Sequence, residues 1–154
     1  MARGLETPVK IAVLNGPNLN LLGAREPELY GHETLKDIER RLRSLGKDVG
    51  VTLEFAQHNG EGDLIDRIHG WKGRVHGAVV NAGAYAHTSL ALRDALTAVG
   101  VPFVEVHLTN IYAREPERRH SMLASAAIGV VCGFGAIGYE FGLRAVVAHL
   151  TRDA

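Results

Sequence analysis

At 154 residues, 46% of them apolar, the chain has the length and composition of one globular domain with a sizeable core. Its 17 basic and 17 acidic residues cancel, which leaves no electrostatic footprint for nucleic acid but does not exclude a local basic pocket for a small anion. The single cysteine, Cys132, excludes an intramolecular disulfide and a cysteine-rich metal site, and no stretch has enough consecutive apolar residues to span a membrane.

The N-terminal MARGLETPVK lacks the apolar segment of a secretory signal, so the expected compartment is the cytoplasm. VKIAVLN (9–15) reads as a buried strand. A polar loop then runs from Asn15 to Leu35, far longer than the 2–6 residues usual between a strand and a helix. ETLKDIERRLRSLGKD (33–48) places Leu35, Ile38, Leu42 and Leu45 on one helix face, with Thr34 and Asp37 as a capping start. VTLEFAQ (51–57) reads as a strand and GDLIDRIHGWK (62–72) as a helix. VHGAVVN (75–81) is a strand, and SLALRDALTAVG (89–100) is a helix ended by Gly100. PFVEVHL (102–108) is a strand, followed by a short helix over 117–125. AAIGVVCG (126–133) is a strand with Cys132 as a buried thiol, and AIGYEFGLRAVVAHL (136–150) is the closing helix.

Five β-α units of this kind imply a parallel sheet covered on both faces. The expected fold is α/β, a flavodoxin-like three-layer sandwich with strand order 2-1-3-4-5, in a single catalytic domain over 1–154 with its core at about 9–150. In such sheets ligands bind beyond the carboxyl ends of the strands, at the switch point. That places the site in the loops after strands 1, 3 and 4.

Polar residues gather at those three ends: Asn15, Asn18, Asn20, Arg25 and Tyr30; then Asn81, His87, Thr88 and Ser89; then Glu105, His107, Thr109 and Asn110, with Arg114, Arg118 and Arg119 close behind. Asparagines and backbone N–H groups bind hydroxyls and carboxylates, and arginine adds a positive fork. Histidine supplies a proton near neutral pH. A tyrosine acts as a base only if its pKa falls from about 10; a fall of about 3 units takes roughly 4 kcal/mol. A nearby arginine in a site closed from water supplies energy of that order. The pattern fits proton removal next to a carbonyl with an acid ready for the leaving group, and it holds no metal cage. Each signal alone also fits a structural role. Arg25 and Tyr30 fit an ordinary mobile loop, Asn81-Ala82-Gly83 a turn, and Arg118-Arg119 a solvated helix face. Glu105 and His107 share a face of their strand, which fits either an oriented imidazole or a surface pair. The Gly133-Phe134-Gly135 turn fits either a close approach to a ligand or a tight strand-to-helix connection, and His58, His69, His76 and His149 read as structural or exposed.

The motifs LNGPNLNLLGAREPELYG, NAGAYAHTS, ALRDAL, EVHLTNIYAREPERRHS and GFGAIGYEFGLRA occur in this order, and from about Val9 to Leu150 the chain resembles type II 3-dehydroquinate dehydratase. The resemblance implies removal of water from 3-dehydroquinate to give 3-dehydroshikimate in the shikimate or quinate pathways, through an enolate and without cofactor, metal or covalent lysine. By resemblance Tyr30 is the base, and Arg25 favours its ionised form and stabilises charge. Asn18 holds a water near the enolate, His107 protonates the departing hydroxyl, and Glu105 orients His107. Asn81, His87, Asp94, Leu108, Thr109 and Arg118 match substrate-binding positions, with Arg114 in support. The 15–35 loop becomes a lid, with Gly23 and Gly31 as its hinges. The expected assembly is a homo-oligomer, four trimers forming a dodecamer, with Asp94 reaching a neighbouring subunit's site; neither nucleic acid nor membrane is an expected partner.

The stretch QHNGEGDLID (57–66) departs from the family pattern, and Thr109 stands where serine is common. Two other readings of the fold are a phospho-acceptor domain and a flavin carrier. The first needs acids where Asn15, Asn18 and Asn81 stand; the second would purify as a yellow protein. A catalytically dead relative would be expected to lack one of the site residues, and none is missing.

Overall fold

In the computed structural model, residues 8–152 are described; residues 1–7 of the stretch read for a targeting signal lie outside them. Five strands, β1 (Lys10–Asn15), β2 (Thr52–Gln57), β3 (Gly77–Asn81), β4 (Phe103–His107) and β5 (Gly129–Cys132), form one sheet in the order β2-β1-β3-β4-β5. Every pairing is parallel. The expected strand order and fold class are those observed.

Burial follows position in the sheet. The inner strands β3 and β4 are buried throughout and β1 from Ile11 onward, while the edge strands β2 and β5 are only partly covered. Cys132 therefore differs from expectation: on edge strand β5 it is a free, half-buried thiol rather than a core residue.

Besides the short α1 (Pro27–Tyr30), the helices are α2 (Leu35–Val49), α3 (Glu61–His69), α4 (Leu90–Val99) and α5 (Ile137–Thr151). Alternation along the strands splits the core in two. Ala12, Leu14, Ala78, Val80 and Phe103 face α3 and α4, whereas Ile11, Val13, Val79, Val104 and Val106 face α2 and α5. α2 begins as its sequence predicts: Thr34 Oγ1 accepts from the Asp37 N–H while the Asp37 carboxylate accepts from the Thr34 N–H. Gly100 ends α4 in a left-handed conformation.

The helix expected over 117–125 does not form. Two 3₁₀ turns, Pro116–Arg118 and Ala124–Ala126, stand in its place. Backbone groups between them go to partners outside a helix: the Met122 N–H to the Ala86 carbonyl (2.7 Å), and the Leu123 and Ala124 N–H groups to Ser121 Oγ. Local side-chain bonds of this kind displace helical ones.

One close approach joins the ends of β1 and β3. The Gly16 N–H donates to the Asn81 carbonyl (2.8 Å), and a Cβ on Gly16 would lie 2.3 Å from the Ala82 carbonyl oxygen. Only glycine fits there, and the loops after β1 and β3 are thereby held together.

Candidate active site

The sheet order reverses between β1 and β3, and the loops after β1, β3 and β4 meet over that point. They enclose an open, polar-lined cleft with a cavity volume of about 110 Å³.

His107 lines it, and Glu105 is buried behind His107. Both side chains project from the same face of β4, and they are 0% and 5% exposed. His107 Nε2 bonds to one Glu105 carboxylate oxygen, and Ser121 Oγ donates to the other at 2.8 Å. The His107 ring also stacks on His87, with centroids 5.7 Å apart. Burial holds the His87 imidazole below the usual histidine range, the His120 carbonyl bonded to its Nδ1 works against that shift, and the neighbouring His107 and Arg118 add to it.

Tyr30 comes from α1 within the long loop. Arg25 Cζ lies 4.9 Å from the Tyr30 ring centroid and Arg114 Cζ lies 5.7 Å from it. Arg114 Nη2 donates to the phenolic oxygen at 3.4 Å and its Nη1 to Thr109 Oγ1 at 3.0 Å. Two cations therefore face the phenol, and Arg114, expected only in support, is the one bonded to it.

The asparagines are positioned from beneath. Tyr139, fully buried on α5, donates its hydroxyl to Asn15 Oδ1 (2.6 Å) and accepts from Asn81 Nδ2 (2.9 Å). Burial pushes the Tyr139 phenol well up, so it remains a neutral donor. Asn81 Oδ1 takes the Gly83 N–H at 3.2 Å, which fixes the amide's orientation. Asn18 adopts a left-handed backbone at φ 69°, and its N–H donates to Asn59 Oδ1 at 3.0 Å. Asparagine is among the few residues tolerant of that conformation. Gln57 ties Asn59 to the carbonyl of Gly16. The atypical 57–66 stretch thus supports the Asn18 loop.

Leu108, Thr109 and Arg118 also line the cleft. Other residues singled out from sequence serve the scaffold. Ser89 caps α4 and bonds to Glu61, Asn110 accepts from the Tyr112 N–H, and Arg119 donates to the Arg114 carbonyl. Asn20 and Thr88 are exposed, and Asp94 is exposed on α4 and does not line the cleft. Sequence reasoning missed Tyr139, Ser121, Gln57 and Asn59. Each acts through a partner distant in sequence, and no local spacing signals that.

The sequence model of the family described as Dehydroquinase class II matches residues 9–147. The chain belongs to the class II dehydroquinases. Among curated dehydroquinase relatives, a 3-dehydroquinate dehydratase of Gemmatimonas aurantiaca is 66% identical over 140 residues, covering 91% of this chain and 92% of the relative. One of Synechococcus sp. strain WH7803 is 58% identical, covering 92% of this chain and 97% of that protein. The crystal structure of a type II dehydroquinase from Butyrivibrio crossotus is similar with a TM-score of 0.89 at 36% identity, covering 92% of this chain and 99% of the other. Among the described residues of this dehydroquinase, no group of three or more His, Cys, Asp or Glu is placed to hold a metal ion, and no helix is long and apolar enough to cross a membrane.

Proposed function

We propose that this chain removes water from 3-dehydroquinate to give 3-dehydroshikimate by anti elimination, acting as a hydro-lyase over a single catalytic domain. One observation carries the reading: a phenol under two guanidinium groups and a carboxylate-backed imidazole line the same cleft. Tyr30, as phenolate, takes the proton from the carbon beside the ketone. The electron pair passes to the ketone oxygen as an enolate, which Asn18 stabilises through a bound water. The enolate collapses, the carbon–oxygen bond breaks, and His107 protonates the departing hydroxyl to water. Arg25 and Arg114 stabilise the phenolate, and a charge at 5 Å in a closed site is worth several kcal/mol. Arg118, Asn81, His87, Leu108 and Thr109 bind the substrate's carboxylate and hydroxyls. The step requires acid–base chemistry alone.

Turnover of 3-dehydroquinate, followed by enone absorbance, tests this. Wild type is expected to be active, and Tyr30→Phe and His107→Ala each to lose about 10²–10⁴-fold in kcat. A folded wild type without turnover would overturn the assignment.

The α1 segment and its flanks act as a lid, since Tyr30 and Arg25 must close on the substrate. Gly23 and Gly31, both at positive φ, are its hinges. Amide exchange across 21–32 should slow on binding a substrate analogue, and unchanged exchange would count against a lid. The remaining parts of the reading rest on the family: a cytoplasmic enzyme of the shikimate pathway, serving aromatic amino acid biosynthesis, assembled as a dodecamer of four trimers with Asp94 completing a neighbour's site. The exposed position of Asp94 on α4 is compatible with that, and sedimentation mass checks it.

A further inference from the structure

We infer that Ser121 is a positioning residue: by donating to Glu105 Oε1 it stabilises the carboxylate form of Glu105, and so favours the proton of the Glu105–His107 bond on Nε2 and leaves Nδ1 as the free ring nitrogen of His107. A serine hydroxyl has one proton to donate and two lone pairs to accept with. In the turn after β4 the Leu123 N–H (3.0 Å) and the Ala124 N–H (3.1 Å) occupy both lone pairs of Ser121 Oγ. Its proton is left for the one remaining partner, Glu105 Oε1 at 2.8 Å. That oxygen therefore accepts. Glu105 is fully buried, and among the described residues its other oxygen meets only His107 Nε2. With Oε1 committed as an acceptor, a carboxylate bonded to a protonated Nε2 satisfies both partners. His107 then presents Nδ1 as its free ring nitrogen, and a second proton placed there makes an imidazolium beside the buried anion.

The surroundings leave this choice to Ser121. Val80 and Val130, the register neighbours of Glu105 on β3 and β5, carry no charge. The opposite face of β4 meets α5 through Val104 and Val106. The titratable or charged groups near the pair include His87, stacked on His107, Arg118 beyond it, and the free thiol Cys132, the register partner of His107 on β5. None of them donates to Glu105, so among the described residues only Ser121 holds its second oxygen. The same serine broke the helix expected over 117–125, and that break places its hydroxyl under β4.

This inference rests on the proposed role of His107 as the acid, and its test has two separate readouts. ¹⁵N NMR of the His107 ring in the intact protein reports the proton position without turnover. Wild type and Ser121→Thr should show a single form with the proton on Nε2. Ser121→Ala should show that proton drawn toward Glu105, or a mixture of forms. In steady-state kinetics on 3-dehydroquinate, Ser121→Ala should lose about tenfold in kcat with KM within about twofold. Ser121→Thr should restore kcat. Ser121→Cys keeps the shape with a weak donor and should lie between, which covers an alanine variant that does not fold. Unchanged ring signals and unchanged kcat in a folded Ser121→Ala or Ser121→Cys would overturn the inference. Ring signals that move as described in a protein without dehydratase turnover would support the role of Ser121 and overturn the proposed function instead.

Discussion

Tyr139 shows how much of this cleft depends on groups that never touch a ligand. Its hydroxyl sits between Asn15 and Asn81, all three buried. Tyr139→Phe removes one oxygen and leaves an acceptor and a donor unpaired, so unfolding in urea should show a loss of about 1–3 kcal/mol. KM should rise with it, because the Asn81 amide loses the partner that orients it. The side chains facing the cleft were largely legible in sequence, since Arg25 and Tyr30 lie in the long loop after the first strand and Asn81 and His107 at strand ends of a recognisable pattern. Tyr139 was not. It lies on the last helix, 58 residues from Asn81 and 124 from Asn15, and in sequence reads only as part of that helix. Arg114 was legible as a residue but not as the partner of the phenol, because a separation of 84 residues along the chain carries no local signal.

The elements follow local rules where the chain meets only itself. Thr34 and Asp37 start α2, and Gly100 ends α4, as their residue types require. The segment 117–125 breaks the rule because Ala86, Glu105 and Ser121 offer its backbone and side chains better partners than a helix would. The joint between the β1 and β3 loops is a similar case. Gly16→Ala would drive a methyl into the Ala82 carbonyl, a backbone group that has no rotamer to yield. We expect a stability loss of about 3 kcal/mol, measured by denaturant unfolding, with displacement of Asn18 and Asn81 relative to one another. From sequence, Gly16 reads only as part of the 15–35 loop.

For the molecule as a whole, the alternation of strands and helices was enough to set the sheet order and the end at which the loops meet. What it did not set was exposure at the sheet edges, where Val130 is 37% exposed and Cys132 half-buried. Edge strands have the same apolar pattern as inner ones and differ only in having one neighbour. The neutral total charge also conceals an uneven distribution. Arg25, Arg114 and Arg118 turn into one cleft, while Glu26 and Glu115, the acids paired with them, stand at its exposed rim. Glu105, the acid at its base, is already committed to His107 and Ser121. The cleft is therefore a ready seat for whatever small anion the solution contains. Phosphate or sulfate in a buffer would compete with substrate there, so an apparent KM measured in phosphate should exceed one measured at equal ionic strength in a zwitterionic buffer with chloride.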